Sequence, residues 1–231
     1  MAHLAHYREA HPLPFVITHY INLVSMAVLI FTGFYIHFPF FAGFMGPARG
    51  AHIFFGIILF ANCVVRVVLS FFVKSAPTGG TREVDTDYKN WIAQKDNRHQ
   101  LIPWIKYYLF FKKDHPLAAK YGNPQKLAYL AVPVIILIVA FTGFCLWVPT
   151  QSAPLFAGFT NLVGGLMVVR IIHYFVMWVF ILFTFIHAYL ATIEGSAPAK
   201  MIFAWKEHGG LVYDPKLHNI VGEDDLGGKE H

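Results

Sequence analysis

Four long apolar stretches constrain this 231-residue chain more than any other feature of its sequence. They run over about 14–37, 51–73, 126–148 and 168–192. Each is long enough to cross a bilayer, which takes about 20 helical residues. Because lipid offers the backbone no hydrogen-bond partner, a chain inside it must satisfy its own polar groups, as an α-helix does. The sequence therefore predicts an all-α integral membrane protein, built as an up-down four-helix bundle.

The distribution of charge agrees with this prediction and orients the chain. Only 13% of the residues are charged, against roughly 25% in a soluble domain. The basic residues lie beside the spans, mostly in the loop 74–125 and in the tail 196–231. This favours a lipid bilayer over nucleic acid as the partner. By the positive-inside rule, both termini and the loop are expected to be cytoplasmic in a bacterial inner membrane, with residues 1–195 forming the membrane domain.

Two further segments outside the spans carry predictions. Residues 101–111 are apolar and aromatic but too short to span, which predicts an interfacial segment with Trp104, Tyr107 and Tyr108 at headgroup level. The tail from about residue 194 is polar and contains glycine, which favours a loosely structured segment.

Four histidines inside the spans are the main candidates for function. Ionisable side chains are costly in lipid, so those that occur in spans usually have a functional role. In the fourth span His173 and His187 are fourteen residues apart. At about 100° and 1.5 Å per residue, both side chains leave nearly the same face, roughly 21 Å apart along the axis.

The alternating direction of the spans pairs these histidines by depth. His19 lies near the start of the first span and shares a level with His187, whereas His52 begins the second span and shares a level with His173. Two pairs of neutral imidazoles at two depths predict two b-type haems stacked across the membrane, with His52/His173 and His19/His187 as axial ligands. His37, at the far end of the first span, is an alternative to His52.

Arginines near these histidines could bind the haem propionates. Arg49 and Arg170 each precede a histidine by three residues, and Arg66 follows His52 by fourteen. Guanidinium groups pair well with carboxylates, although they also extend to lipid headgroups.

Small and hydroxyl residues in the spans could also support the haems. The repeated motif FTGF at 31–34 and 141–144 places Gly33 and Gly143 at similar depth, where a neighbouring helix or a flat haem could approach the backbone. Thr18, Ser25 and Thr184 are candidates for hydrogen bonds that orient the ligand rings.

At these residues the sequence resembles the b-type cytochrome subunits of membrane-bound nickel–iron hydrogenases and the related gamma subunits of formate dehydrogenases. The resemblance covers about residues 10–195. It is carried by THYINLVSMAVLIFTGFYI in the first span, by His52 and Arg66 in the second, and by KYYLFFKKDHPLAAKYGNPQKLAYL leading into the third. The most specific part is the pair His173 and His187 in the fourth.

The resemblance implies the same ligand pairs, His52/His173 and His19/His187. It also implies a periplasmic iron–sulfur small subunit, a catalytic large subunit, and menaquinone or ubiquinone as electron acceptor near the cytoplasmic haem. Arg66, His115 and Tyr121 are candidates for the quinone site.

The sequence thus predicts a membrane-anchoring dihaem cytochrome b subunit. It would relay electrons between a hydrogenase-type or formate dehydrogenase-type complex and the quinone pool, without being the catalytic subunit itself. An alternative is a stand-alone dihaem oxidoreductase that acts on superoxide or ferric iron. A haem-free anchor or transporter would require the four histidines to be coincidental.

Overall fold

The computed structural model describes residues 12–75, 85–91, 101–112, 123–193, 202–203, 211–214 and 219–222. Within them the secondary structure is mostly helical, with two short strand pairs. In chain order, the elements are α1 (Leu13–His37), α2 (Met45–Phe72), β1 (Lys74–Ser75), β2 (Asp85–Thr86), α3 (Tyr88–Trp91), α4 (Leu101–Tyr108), α5 (Asn123–Leu146), α6 (Pro154–Leu162), α7 (Leu166–Ile193), β3 (Leu211–Asp214) and β4 (Asn219–Gly222).

Four of the helices are long and apolar enough to cross a membrane: α1, α2, the part of α5 from Leu127 to Leu146, and the part of α7 from Leu166 to Tyr189. The predicted all-α, four-span fold class is therefore confirmed. Helix α2 begins at Met45, six residues before its predicted start at 51. Pro47 lies in its first turn, where a helix has no use for the missing backbone N–H.

The chain divides into two compact units, each described here by itself. The bundle unit comprises Ile17–Arg66 and Val132–Phe185, and the second unit contains the described parts of the remaining segments. The core of the bundle unit is apolar and draws on all four spanning helices. It consists of Leu59, Cys63, Ile136, Val176 and Phe180, with Met26, Leu29, Val132, Ile135 and Val139 packed against them.

A buried amide joins α1 to α2 inside the bundle unit. Asn62 Nδ2 donates to the backbone oxygen of Thr18 and to Asn22 Oδ1, both at 2.7 Å. Both amide hydrogens are therefore used, and the Asn62 side chain is only 6% exposed. Because hydrocarbon offers no competing partner, these bonds fix how the two helices pack.

The connection between α5 and α7 contains a helix that the sequence interpretation treated as a plain turn. Helix α6 begins at Pro154 and packs Phe156 and Phe159 against Phe141 of α5, with ring centroids 5.4 and 5.0 Å apart. Gly164 and Gly165 then adopt φ angles of 99° and 107°, which favour glycine, and turn the chain into α7.

The second unit is organised around a buried carboxylate that follows α2. Ser75 Oγ donates to Asp87 Oδ1 at 2.8 Å, and Trp91 Nε1 donates to Asp87 Oδ2 at 2.9 Å. Trp91 also stacks on Tyr129 of α5, with ring centroids 5.5 Å apart. The start of the loop 74–125 is thus tied to α5.

Two segments of this unit carry sequence predictions. Helix α4 is short, as predicted, and its Trp104 is only 2% exposed and packs on Tyr107 and Tyr108, while its place at headgroup level stays a prediction. In the tail, β3 and β4 form an antiparallel pair, whereas the composition had indicated a loosely structured segment.

We expect Asn62→Leu to lower the stability of the protein by about 1–2 kcal/mol, because two interhelical hydrogen bonds are lost. Thermal unfolding in detergent would measure this. The matched control is Asn161→Leu, since Asn161 is an exposed amide on α6. Equal midpoints for the two variants would contradict the role given to Asn62.

Candidate metal centre

Two of the four candidate histidines face each other in the bundle unit. His52 lies seven residues after the start of α2, and His173 lies seven residues after the start of α7, so each is about 10 Å along its helix. Their ring centroids are 6.1 Å apart, with 63° between the ring planes.

This separation fits two imidazoles on opposite faces of one metal ion. A metal–imidazole bond is about 2.0–2.1 Å and the ring centre lies ~1.2 Å behind the nitrogen, so two such rings have centroids about 6.5 Å apart. The angle between the planes does not limit the fit, because each ring can turn about its own metal–nitrogen bond. The observed 6.1 Å is shorter than this by about 0.4 Å, so a small outward shift of the rings would admit a metal between them.

A threonine of α1 holds the His52 ring. Thr32 Oγ1 lies 2.9 Å from His52 Nδ1 and donates to the backbone oxygen of Val28, one turn back, at 2.7 Å. A hydroxyl has one hydrogen, and here the backbone oxygen takes it. The Thr32 oxygen must then accept a hydrogen bond from Nδ1–H of His52, which leaves Nε2 unprotonated.

A threonine of α5 holds the His173 ring in the same way. Thr142 Oγ1 lies 2.9 Å from His173 Nδ1 and donates to the backbone oxygen of Ile138 at 2.9 Å. By the same argument, His173 carries its proton on Nδ1, and the lone pair of its Nε2 is available. Neutral imidazoles with one nitrogen anchored and the other free are the usual form of a histidine metal ligand.

The two motif glycines lie against these histidines. A Cβ atom added at Gly143 would be 3.5 Å from Cε1 of His173, and one added at Gly33 would be 3.5 Å from Cε1 of His52 and 3.3 Å from Sδ of Met177. Each imidazole thus packs directly on the backbone of the helix that supplies its threonine. The sequence had left open whether the glycines served a cofactor or a neighbouring helix, and the contact observed is with the ligand histidine.

His37, the alternative to His52, has a different neighbour. Its ring is exposed and stacks on Tyr174, with centroids 4.0 Å apart and 14° between the planes. The ring that faces His173 in the bundle unit is that of His52.

The arginines near this pair are exposed. Arg49 and Arg170 each lie one helical turn before their histidine. No Asp or Glu occurs between residues 10 and 82 or between 115 and 193. Neither arginine can therefore find a carboxylate on its own or a neighbouring span.

The other predicted pair lies toward the opposite ends of the helices. His19 is half-buried in the second turn of α1 and belongs to the bundle unit, while His187 is exposed near the end of α7 and belongs to the second unit. Arg66 is half-buried in α2. The pairing of His19 with His187 stays a prediction. Of the predicted quinone residues, His115 and Tyr121 lie outside the described residues.

Sequence reasoning missed the two threonines that hold the ligand rings. It proposed Thr18, Ser25 and Thr184, but Thr184 Oγ1 donates to the backbone oxygen of Phe180 in its own helix at 2.8 Å. The signal was present in the repeated FTGF motif, where a threonine precedes each glycine. The prediction assigned a role to the glycine of each motif and none to its threonine.

The candidate centre brings together two imidazoles, those of His52 and His173. Among the residues that the structure describes, there is no group of three or more His, Cys, Asp or Glu side chains that could hold a metal ion. A structural zinc site needs about four protein ligands. Two axial imidazoles suit a metal whose other ligands come from a porphyrin.

Comparison with known proteins found a family that the chain matches. A family model described as prokaryotic cytochrome b561 matches residues 10–204, which includes all four spanning helices. No curated protein matches the sequence.

We expect Gly143→Val to weaken binding of ferric haem by roughly 10–100-fold, because the branched side chain would push His173 away from Thr142. Titration of the detergent-solubilised apoprotein, followed by absorbance, would measure the change. Gly158→Val is the control, since nothing lies within 4 Å of a Cβ at Gly158. Equal affinities would show that the backbone at 143 does not position the ligand.

Proposed function

The chain belongs to the prokaryotic cytochrome b561 family, and we propose that it is a dihaem subunit that relays electrons between a catalytic complex and the membrane quinone pool. Members of the family are membrane electron-transfer cytochromes that bind b-type haem. The observation that carries the proposal is the facing pair His52 and His173, with both Nδ1 atoms held by threonine and both Nε2 atoms free.

His52 and His173 are the proposed axial ligands of one haem. When bound, the haem supplies a one-electron iron couple, while the chain supplies position and electrostatics. Gly33 and Gly143 let the ligand rings lie close to the helix backbones.

Arg49 and Arg170 are proposed to bind the propionates of that haem. They are one turn from the two ligands, and the spans contain no carboxylate of their own. A charge-assisted pair with a propionate would satisfy both guanidinium groups.

His19 and His187 are the proposed ligands of a second haem. The support is their depth: each lies six residues from the end of its helix, His19 after Leu13 and His187 before Ile193. His187 is also on nearly the same face of α7 as His173, because fourteen residues complete almost four turns.

We infer the order of the sites across the membrane from topology. The basic residues of 74–125 and of the tail favour cytoplasmic termini, so the His52/His173 pair would lie toward the periplasm. A hydrogenase-type or formate dehydrogenase-type partner, with its iron–sulfur small subunit, would dock there. Menaquinone or ubiquinone would bind near the cytoplasmic pair, where Arg66, His115 and Tyr121 are the candidates.

Single histidine variants test the two ligand pairs. We expect His173→Ala and His187→Ala each to lower the haem-to-protein ratio from two to one, because each removes one axial ligand. Haem extraction and absorbance of the purified protein measure the ratio. His37→Ala is the matched control and should keep two haems. A ratio unchanged in either of the first two variants would refute its ligand pair.

Quinol reduction tests which end of the bundle binds the quinone. We expect a short-chain quinol to reduce the b-type absorbance of His173→Ala at nearly the wild-type rate. We expect the same quinol to reduce the absorbance of His187→Ala at least roughly tenfold more slowly, because the loss of groups around a bound metal typically lowers activity by this factor. Stopped-flow absorbance measures both rates. The reverse order would place the quinone at the other end, and turnover of superoxide or ferric iron by the purified chain alone would favour the stand-alone enzyme.

A further inference from the structure

The hydroxyl groups of Thr32 and Thr142 lie within hydrogen-bond distance of the two facing histidines. Thr32 is 2% exposed and Thr142 is 1% exposed, and each places one oxygen 2.9 Å from Nδ1 of the histidine it faces. Each hydroxyl donates its own hydrogen to a backbone carbonyl of the preceding turn. Each oxygen can therefore accept a hydrogen bond from the imidazole N–H that it faces.

We propose that Thr32 and Thr142 are positioning residues that set the reduction potential of the haem held between His52 and His173, an inference that rests on the function proposed above. The two oxygens lower this potential. Neither residue needs to touch the haem, because each acts through the ligand to which it is bonded.

The sign follows from the chemistry of imidazole. An acceptor on Nδ1–H draws that proton away from the ring and makes Nε2 more basic. A more basic axial ligand stabilises ferric iron more than ferrous iron, so the potential falls. The effect persists in the membrane because no water reaches these buried oxygens to compete.

The twofold arrangement makes the proposal quantitative. Each threonine acts on a different ring, on opposite sides of the same metal, and the two threonines belong to different helices. Removal of either acceptor should shift the potential in the same direction, and removal of both should shift it by close to the sum. The potential of the haem at the other level should not move.

The experiment is a redox titration of the purified, haem-loaded protein with Thr32→Val, Thr142→Val and the double variant. Valine keeps the shape of threonine and removes the acceptor. We expect each single variant to change the ferric-to-ferrous ratio at a fixed potential roughly tenfold, which raises the potential by ~59 mV for a one-electron couple. Only one of the two titration waves should move.

Two controls separate this role from packing. Thr32→Ser and Thr142→Ser keep a hydroxyl and should restore potentials near the wild-type value. Thr184→Val removes a hydroxyl that bonds only the backbone oxygen of Phe180, and it should leave both waves in place. Loss of haem in a valine variant, with retention in the matching serine variant, would also support the proposal.

The outcomes distinguish this inference from the function on which it rests. If the wild-type protein binds no haem, the proposed function fails. If haem is bound and the valine variants titrate like wild type, the threonines do not set the potential and the electron-transfer function stands. Equal shifts in the valine and serine variants would also overturn the inference, because the hydroxyl would then be irrelevant.

Discussion

A histidine ring buried in hydrocarbon needs a hydrogen-bond acceptor for its N–H group. The way in which this chain supplies that acceptor determines the rest of the candidate metal centre. At this centre the hydroxyl oxygens of Thr32 and Thr142 serve as acceptors, because their own hydrogens are donated to the backbone oxygens of Val28 and Ile138. That donation decides which nitrogen of each ring carries the proton, and so which nitrogen can bind a metal.

Much of this architecture could be predicted from the sequence, because its causes are one-dimensional. Apolar length defines the four spans, and the alternating direction of the spans assigns each histidine a depth. Depth alone placed His52 level with His173, and the rings do face each other at 6.1 Å. The sequence left His37 as an alternative to His52, and the ring of His37 lies against Tyr174.

What could not be predicted depends on the rotation of each helix about its axis and on individual hydrogen bonds. Thr184 and Thr142 look alike in the sequence, and each donates to a backbone oxygen of its own helix, but Thr142 also lies 2.9 Å from a histidine nitrogen. Helix α6 was missed because nine residues between two glycine- and proline-containing turns carry too little periodicity to distinguish a helix from a loop. The burial of Trp104 depends on contacts that a headgroup prediction ignores.

The threonine–histidine bonds each lie within one helical hairpin: Thr32 and His52 belong to α1 and α2, and Thr142 and His173 to α5 and α7. Each hairpin therefore prepares its own ligand without help from the other. The candidate centre thus has two similar halves, which pack against each other through the apolar core of the bundle unit. A threonine, then a glycine, then a histidine seven residues into the next spanning helix thus occur in the same order twice along the chain.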